Sequence, residues 1–109
     1  MLKTILLEGL GKTNTSEEEY DKATVTASMK WTVQEVRYYT SRVANNNEIY
    51  LYKLTAPIMR LNTQVGNVIK KPYPVDTELL AGVELRLTGK TDGTATDYIV
   101  EVVIDEVAV

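Results

Sequence analysis

From Ala23 the chain alternates. The odd positions Ala23, Val25, Ala27, Met29, Trp31 and Val33 are apolar, and the even positions Thr24, Thr26, Ser28, Lys30, Thr32 and Gln34 are polar. A helical stripe through Val25 would carry Ser28 and Thr32 on its apolar face. A period of two, with its β-branched residues, therefore predicts one long half-buried strand over residues 23–34. At about 3.4 Å per residue such a strand runs about 40 Å, well beyond the usual length. After Gln34 the apolar parity passes to Val36 and Tyr38, which predicts a one-residue β-bulge near Glu35.

Downstream, Asn45, Asn46 and Asn47 tolerate left-handed backbone and precede the apolar stretch 49–54, so the spacing predicts an antiparallel hairpin with Tyr38 facing Tyr50 and Val36 facing Tyr52. Pro57 cannot donate to a ladder and marks an edge or an end, with Ile58, Met59, Arg60 and Leu61 continuing beyond it. Residues 62–75, with Gly66, Pro72 and Pro74, read as a long connection holding a short strand around Val68 and Ile69. Residues 76–81 fit either a helical turn capped by Asp76 or an extended segment. Val83, Leu85 and Leu87 alternate with Glu84, Arg86 and Thr88, and the turn residues 89–93 lead into residues 98–104. This predicts a second hairpin with a mobile loop. At the N-terminal side, residues 2–7 read as a strand, and Ser16 three residues before Glu19 matches a capping box that opens a short helix over 17–22 or an acidic loop. The sum is an all-β, mainly antiparallel chain, a β-sandwich or small barrel with at most one or two short helical turns, forming a single domain over residues 1–109.

Composition sharpens this. The aliphatic core must come from 13 Val, 11 Leu and 6 Ile, since there is no Phe and one Trp. With 109 residues, one core is enough. A net charge of −3 supplies no field for collecting phosphates, which argues against general nucleic-acid binding. The single adjacent basic pair, Lys70 and Lys71, reads as a solvated loop tip. Without Cys there is no disulfide framework and no thiolate, and without His the usual general base and the commonest nitrogen ligand are missing. The apolar run Ile5, Leu6, Leu7 is broken by Glu8 and is too short for a signal peptide or a membrane span. The sequence therefore predicts a chain with no membrane association, placed in a virion or the cytoplasm.

Two motifs carry a chemical suggestion. Gly9, Gly11, Lys12 and Thr13 imitate the end of a phosphate-binding loop, and Val102, Val103 and Ile104 before Asp105 and Glu106 imitate the acidic strand end of such enzymes. The first glycine of that loop would fall on Leu6, and crossover helices have no room here, so a glycine turn and an ordinary strand are the better reading. Glu17, Glu18, Glu19 and Asp21 lack the spacing of a calcium loop. No catalytic residue, cofactor or metal ligand is expected. Trp31 lies on the apolar face and belongs to the core, whereas Tyr38, Tyr39, Tyr50, Tyr52 and Tyr73 are candidates for display at an interface. Adjacent Tyr38 and Tyr39 must point to opposite faces. The expectation is a non-enzymatic structural protein that assembles with copies of itself, as a homo-oligomer, or with other proteins of a larger particle. A phage capsid-decorating, cement or tail-associated component is the specific form, and a small ligand- or carbohydrate-binding β-sandwich module is the alternative.

Overall fold

A computed structural model of the chain describes residues 1–61, the backbone of 68–70, and 78–109. Among the described residues there are nine strands and no helix: β1 (Leu2–Lys12), β2 (Glu18–Thr24), β3 (Met29–Thr40), β4 (Glu48–Lys53), β5 (Ala56–Leu61), β6 (Val68–Lys70), β7 (Glu78–Leu79), β8 (Glu84–Lys90) and β9 (Thr96–Ala108). They form two antiparallel sheets. The first runs β1-β9-β3, and its fourth position is shared by β7, beside Trp31 and Thr32, and β6, beside Val36 to Tyr38. The second runs β2-β8-β4-β5. The fold is all-β and antiparallel, as the alternation predicts, and of the expected sandwich or small barrel it is the sandwich.

Period two places the core. Along β9, Tyr98, Val100, Val102 and Ile104 are fully buried and the residues between them face outward. Sheet two answers with Ile49, Leu51, Leu85 and Leu87. On β3 the inward set is Trp31 and Val33, then Val36 and Tyr38, and the register against β9 slips between Val33 and Glu35. The bulge near Glu35 is thus present, and it keeps both halves of a long strand facing one core.

Four expectations are corrected. The strand over residues 23–34 is two strands in opposite sheets, divided by a tight turn in which Met29 N–H donates to Thr26 C=O (3.1 Å) and Ser28 takes a left-handed φ of 65°. The turn preserves parity, so the apolar alternation runs through it unbroken. Neither predicted hairpin forms: β3 and β4 lie in different sheets, as do β8 and β9. Tyr38 sits opposite Val100 and Val68, Tyr50 opposite Thr88 and Arg60, Val36 opposite Val102, and Tyr52 opposite Arg86 and Pro57. Each crossing lets consecutive strands bury their apolar faces against one another across the sandwich. Residues 18–22 are strand, not helix, because β8 offers them a ladder. Lastly, the connection from β8 to β9 is tied down: Thr91 N–H and Oγ1–H both donate to Asn14 C=O (2.7 and 3.0 Å), and Asp92 N–H donates to Asn47 Oδ1 (3.0 Å).

Other readings stand. Pro57 lies on β5, which among the described strands is an edge paired with β4 alone, and the short strand at Val68 and Ile69 is β6. Residues 78–79 are extended, while Asp76 lies outside the described residues.

Candidate functional site

The outer face of sheet two carries the displayed tyrosines. Tyr50 and Tyr52, two apart on β4, point to the same side and meet edge to face with ring centroids 6.5 Å apart. A guanidinium lies by each ring, Arg60 at 6.0 Å from the Tyr50 centroid and Arg86 at 5.7 Å from that of Tyr52, within cation–π reach. Both hydroxyls are already engaged. Tyr50 donates to Glu48, which also pairs with Arg60 and, at 3.7 Å, with Lys90. Tyr52 donates to Glu17 Oε2 (3.0 Å), which accepts from Thr88 Oγ1 as well (2.7 Å). Arg86 Nε meets Glu19 Oε1 at 2.6 Å, and Asp21 accepts the N–H groups of Glu8 and Lys22. Glu17, Glu19 and Asp21 are therefore engaged by donors of this chain, and the described residues hold no cluster of three or more acidic, His or Cys side chains fit for a metal. A sugar would find the ring hydroxyls occupied.

The Tyr50 bond has a titration consequence. Its hydrogen bond to Glu48, with burial second, pushes the hydroxyl from an ordinary 10.0 up to about 12, and the same bond holds Glu48 below its ordinary value. Between those two pH values the native chain keeps a proton that the unfolded chain has lost. The stability this contributes is complete below pH 10.0 and disappears as pH rises toward about 12. Tyr50→Phe is expected to flatten the fall in melting temperature across that window and to remove one late-titrating phenol from a spectrophotometric titration.

The remaining aromatic candidates divide. Tyr38 is buried in the core, contrary to its expected display, because the bulge turns it inward. Its hydroxyl has no hydrogen-bond partner among the described residues, and burial raises its pKa. Tyr39 faces outward, half-buried, beside a shallow depression of about 270 Å³ shared with Arg37, Ile99 and Glu101. That is smaller than the usual ligand pocket. Tyr73 lies outside the described residues. Trp31 is core, as expected, with Nε1–H donated to Glu106 Oε2 (2.8 Å) and Lys3 over its ring (6.0 Å).

One glycine of the phosphate-loop imitation, Gly9, serves a ring, together with Gly89 from β8. A Cβ at Gly9 would lie 2.6 Å from Tyr20 Cδ2, and one at Gly89 would lie 2.5 Å from Tyr20 Cε2 and 2.8 Å from Glu48 O. Tyr20 passes between them and stacks on Tyr98, centroids 5.8 Å apart. Gly11, at φ 62°, forms the irregular end of β1 and gives its N–H to Asp97 (2.7 Å). Nothing in that arrangement cradles an anion.

The sequence reading missed an edge. Among the described residues strand β1 pairs with β9 on one side only, and its outward residues Leu2 (69% exposed), Leu6 (51%) and Leu10 stand in solvent. Their alternation with Ile5 and Leu7 resembles any half-buried strand, so nothing in the pattern marked them as displayed. Natural sheets blunt such edges with bulges, charge or proline. Here β5 carries Pro57, β2 is irregular between Glu19 and Asp21, and β7 is two residues long. The first six residues of β1 pair regularly with β9 and contain no proline.

Searches against protein-family models and against curated proteins give no match to this sequence.

The chemistry of the surface thus rests on its own geometry. Among the described residues no helix is long and apolar enough to cross a membrane. What the molecule presents is one self-paired polar face and one open, leucine-bearing sheet edge.

Proposed function

We propose that this protein is a non-enzymatic structural component that acts by assembling through protein–protein contacts. The observation that carries the reading is the open edge of β1 with Leu2 and Leu6 exposed beside it. An open edge with apolar side chains is a template for another strand. The polar face of sheet two supports the same reading, since its ion pairs and tyrosines satisfy one another and leave it suited to solvent. A particle built of many copies, such as a phage capsid or tail, is the setting we favour: a rigid module without site chemistry contributes there by position and number.

Size-exclusion chromatography with light scattering tests the proposal. The expected result is a mass that is a multiple of 12.2 kDa and rises with concentration. A monomer that stays monomeric at every concentration, and that binds no other protein of a particle, overturns it.

A further inference from the structure

The pleat decides which backbone groups of β1 are free. Met1 C=O accepts from Glu106 N–H on β9 (2.8 Å), whereas Glu8 N–H points the other way, to Asp21 Oδ2 (3.0 Å). In an antiparallel strand each residue turns its N–H and C=O to one side, and the side alternates along the chain. Residues 3, 5 and 7 therefore bond β9, and Leu2, Thr4 and Leu6 turn their N–H and C=O groups to the open edge. Asp21 closes that edge at Glu8. The open stretch is symmetric about Thr4.

We propose that a second copy of this chain fills it, two β1 strands pairing antiparallel about a two-fold axis at Thr4. This rests on the assembly reading above and names its partner and its contact. In that register Leu2 lies opposite Leu6 of the partner subunit, and the two Thr4 residues face each other. All three are hydrogen-bonded pairs, each exchanging two N–H···O bonds. The symmetry is the argument for a like partner, since a two-fold contact must satisfy itself. A slip that puts the axis between two residues opposes bonding groups to non-bonding ones, and moving it to Ile5 would set Leu2 against Glu8, whose N–H is taken by Asp21. Moving it to Leu6 would set Thr4 against Glu8, whose N–H is taken by Asp21.

Side chains agree with the register. On the outer face Thr4 lies beside Val103, so Leu2, Leu6 and Val103 of both copies join in one apolar strip across the axis, and Thr–Thr and Leu–Leu are favourable cross-strand pairs. On the inner face Lys3 of each copy approaches the axis, and each already meets Glu106 at 3.6 Å. The pairing brings no uncompensated charge together.

The full chain has no cysteine, so single cysteines report the contact directly. Facing Cα atoms in a hydrogen-bonded antiparallel pair are about 5.5 Å apart, within disulfide range. Under mild oxidation Thr4→Cys is expected to give a covalent dimer about tenfold faster than Leu10→Cys, a residue of similar exposure to Leu6 outside the open stretch. Thr4→Pro removes a free-edge donor and leaves the bonds to β9 in place, so sedimentation is expected to show dimer dissociation raised about tenfold or more with an unchanged circular dichroism spectrum. If that variant loses its fold, Leu6→Lys makes the same comparison from the surface. Oligomers that persist in these variants, with equal cross-linking at Thr4 and Leu10, overturn this contact and leave the assembly reading standing. A wild-type chain that remains monomeric in sedimentation overturns this contact, and one that also binds no other protein of a particle overturns both.

Discussion

Trp31→Ala is expected to lower unfolding stability by about 3–5 kcal/mol in denaturant titration, the range for deleting a buried ring. The side chain is 2% exposed, sits opposite both Glu106 and Leu79, and belongs to the core that β3 shares with β9. Removing it leaves a cavity and also strips Glu106 of its indole donor and Lys3 of the ring beneath it. Trp31→Phe separates these effects. It keeps most of the apolar volume and loses the N–H, so its cost should be much smaller, with a distinct pH signature. The indole hydrogen bond, with Lys3 assisting, holds the Glu106 carboxyl below its ordinary 4.5. A depressed carboxyl contributes stability that is complete above the unfolded value and lost as pH falls through the folded one. The stability curve of Trp31→Phe should therefore be shallower below pH 4.5 than that of the wild type. Parallel acid limbs would show that the indole does not control this carboxyl.

Asn47→Ala is expected to cost about 1–3 kcal/mol, since it removes a buried amide together with its hydrogen bonds to two connections. Asn47 is 2% exposed. Its Oδ1 accepts from Asp92 N–H (3.0 Å), and its Nδ2 donates to Arg42 C=O (3.2 Å) and toward Thr96 Oγ1 (3.4 Å). One side chain thus joins the β3–β4 connection to the β8–β9 connection. Hydrogen exchange should accelerate at residues 92–96 in the variant, while Thr91, held independently by Asn14, stays protected. Acceleration across Thr91 as well would mean that the whole connection depends on Asn47.

Particular residues show why some of this was legible in the sequence and some was not. Val83, Leu85 and Leu87, or Tyr98 to Ile104, announce strands because burial on one face imposes a period of two whatever the partner. The bulge was legible for the same reason, since it is a change of parity. The turn at Thr26 to Met29 left no trace: Ala27 and Ser28 continue the alternation, and Ser28 adopts its left-handed φ without the Gly or Asn that signals one. Sheet membership was equally hidden. Inward residues of either sheet look alike, so adjacency in sequence suggested hairpins where the chain crosses the sandwich. Ser16 to Glu19 obeyed a helix rule that is local, and the ladder with β8, nearly seventy residues away, outweighed it.

For the candidate site, the tyrosine list was half informative. Tyr39, Tyr50 and Tyr52 all reach the surface half-buried, yet Tyr38 follows the shifted parity into the core. The exposed edge could not be read at all, because exposure of Leu2 and Leu6 depends on β1 being an outermost strand, a property of strand order that a single sequence does not display.

The crossing topology has a consequence in time. Among the described strands only β4 and β5 are both neighbours in sequence and partners in a sheet, so nearly every ladder waits on a distant segment, the situation that slows folding. During synthesis sheet two can close once Lys90 has emerged, but sheet one lacks its central strand until residues 96–108 follow. For that interval β1 and β3 have nothing to share, and Leu51, Leu85 and Leu87 line a half-sandwich open to water or to a chaperone.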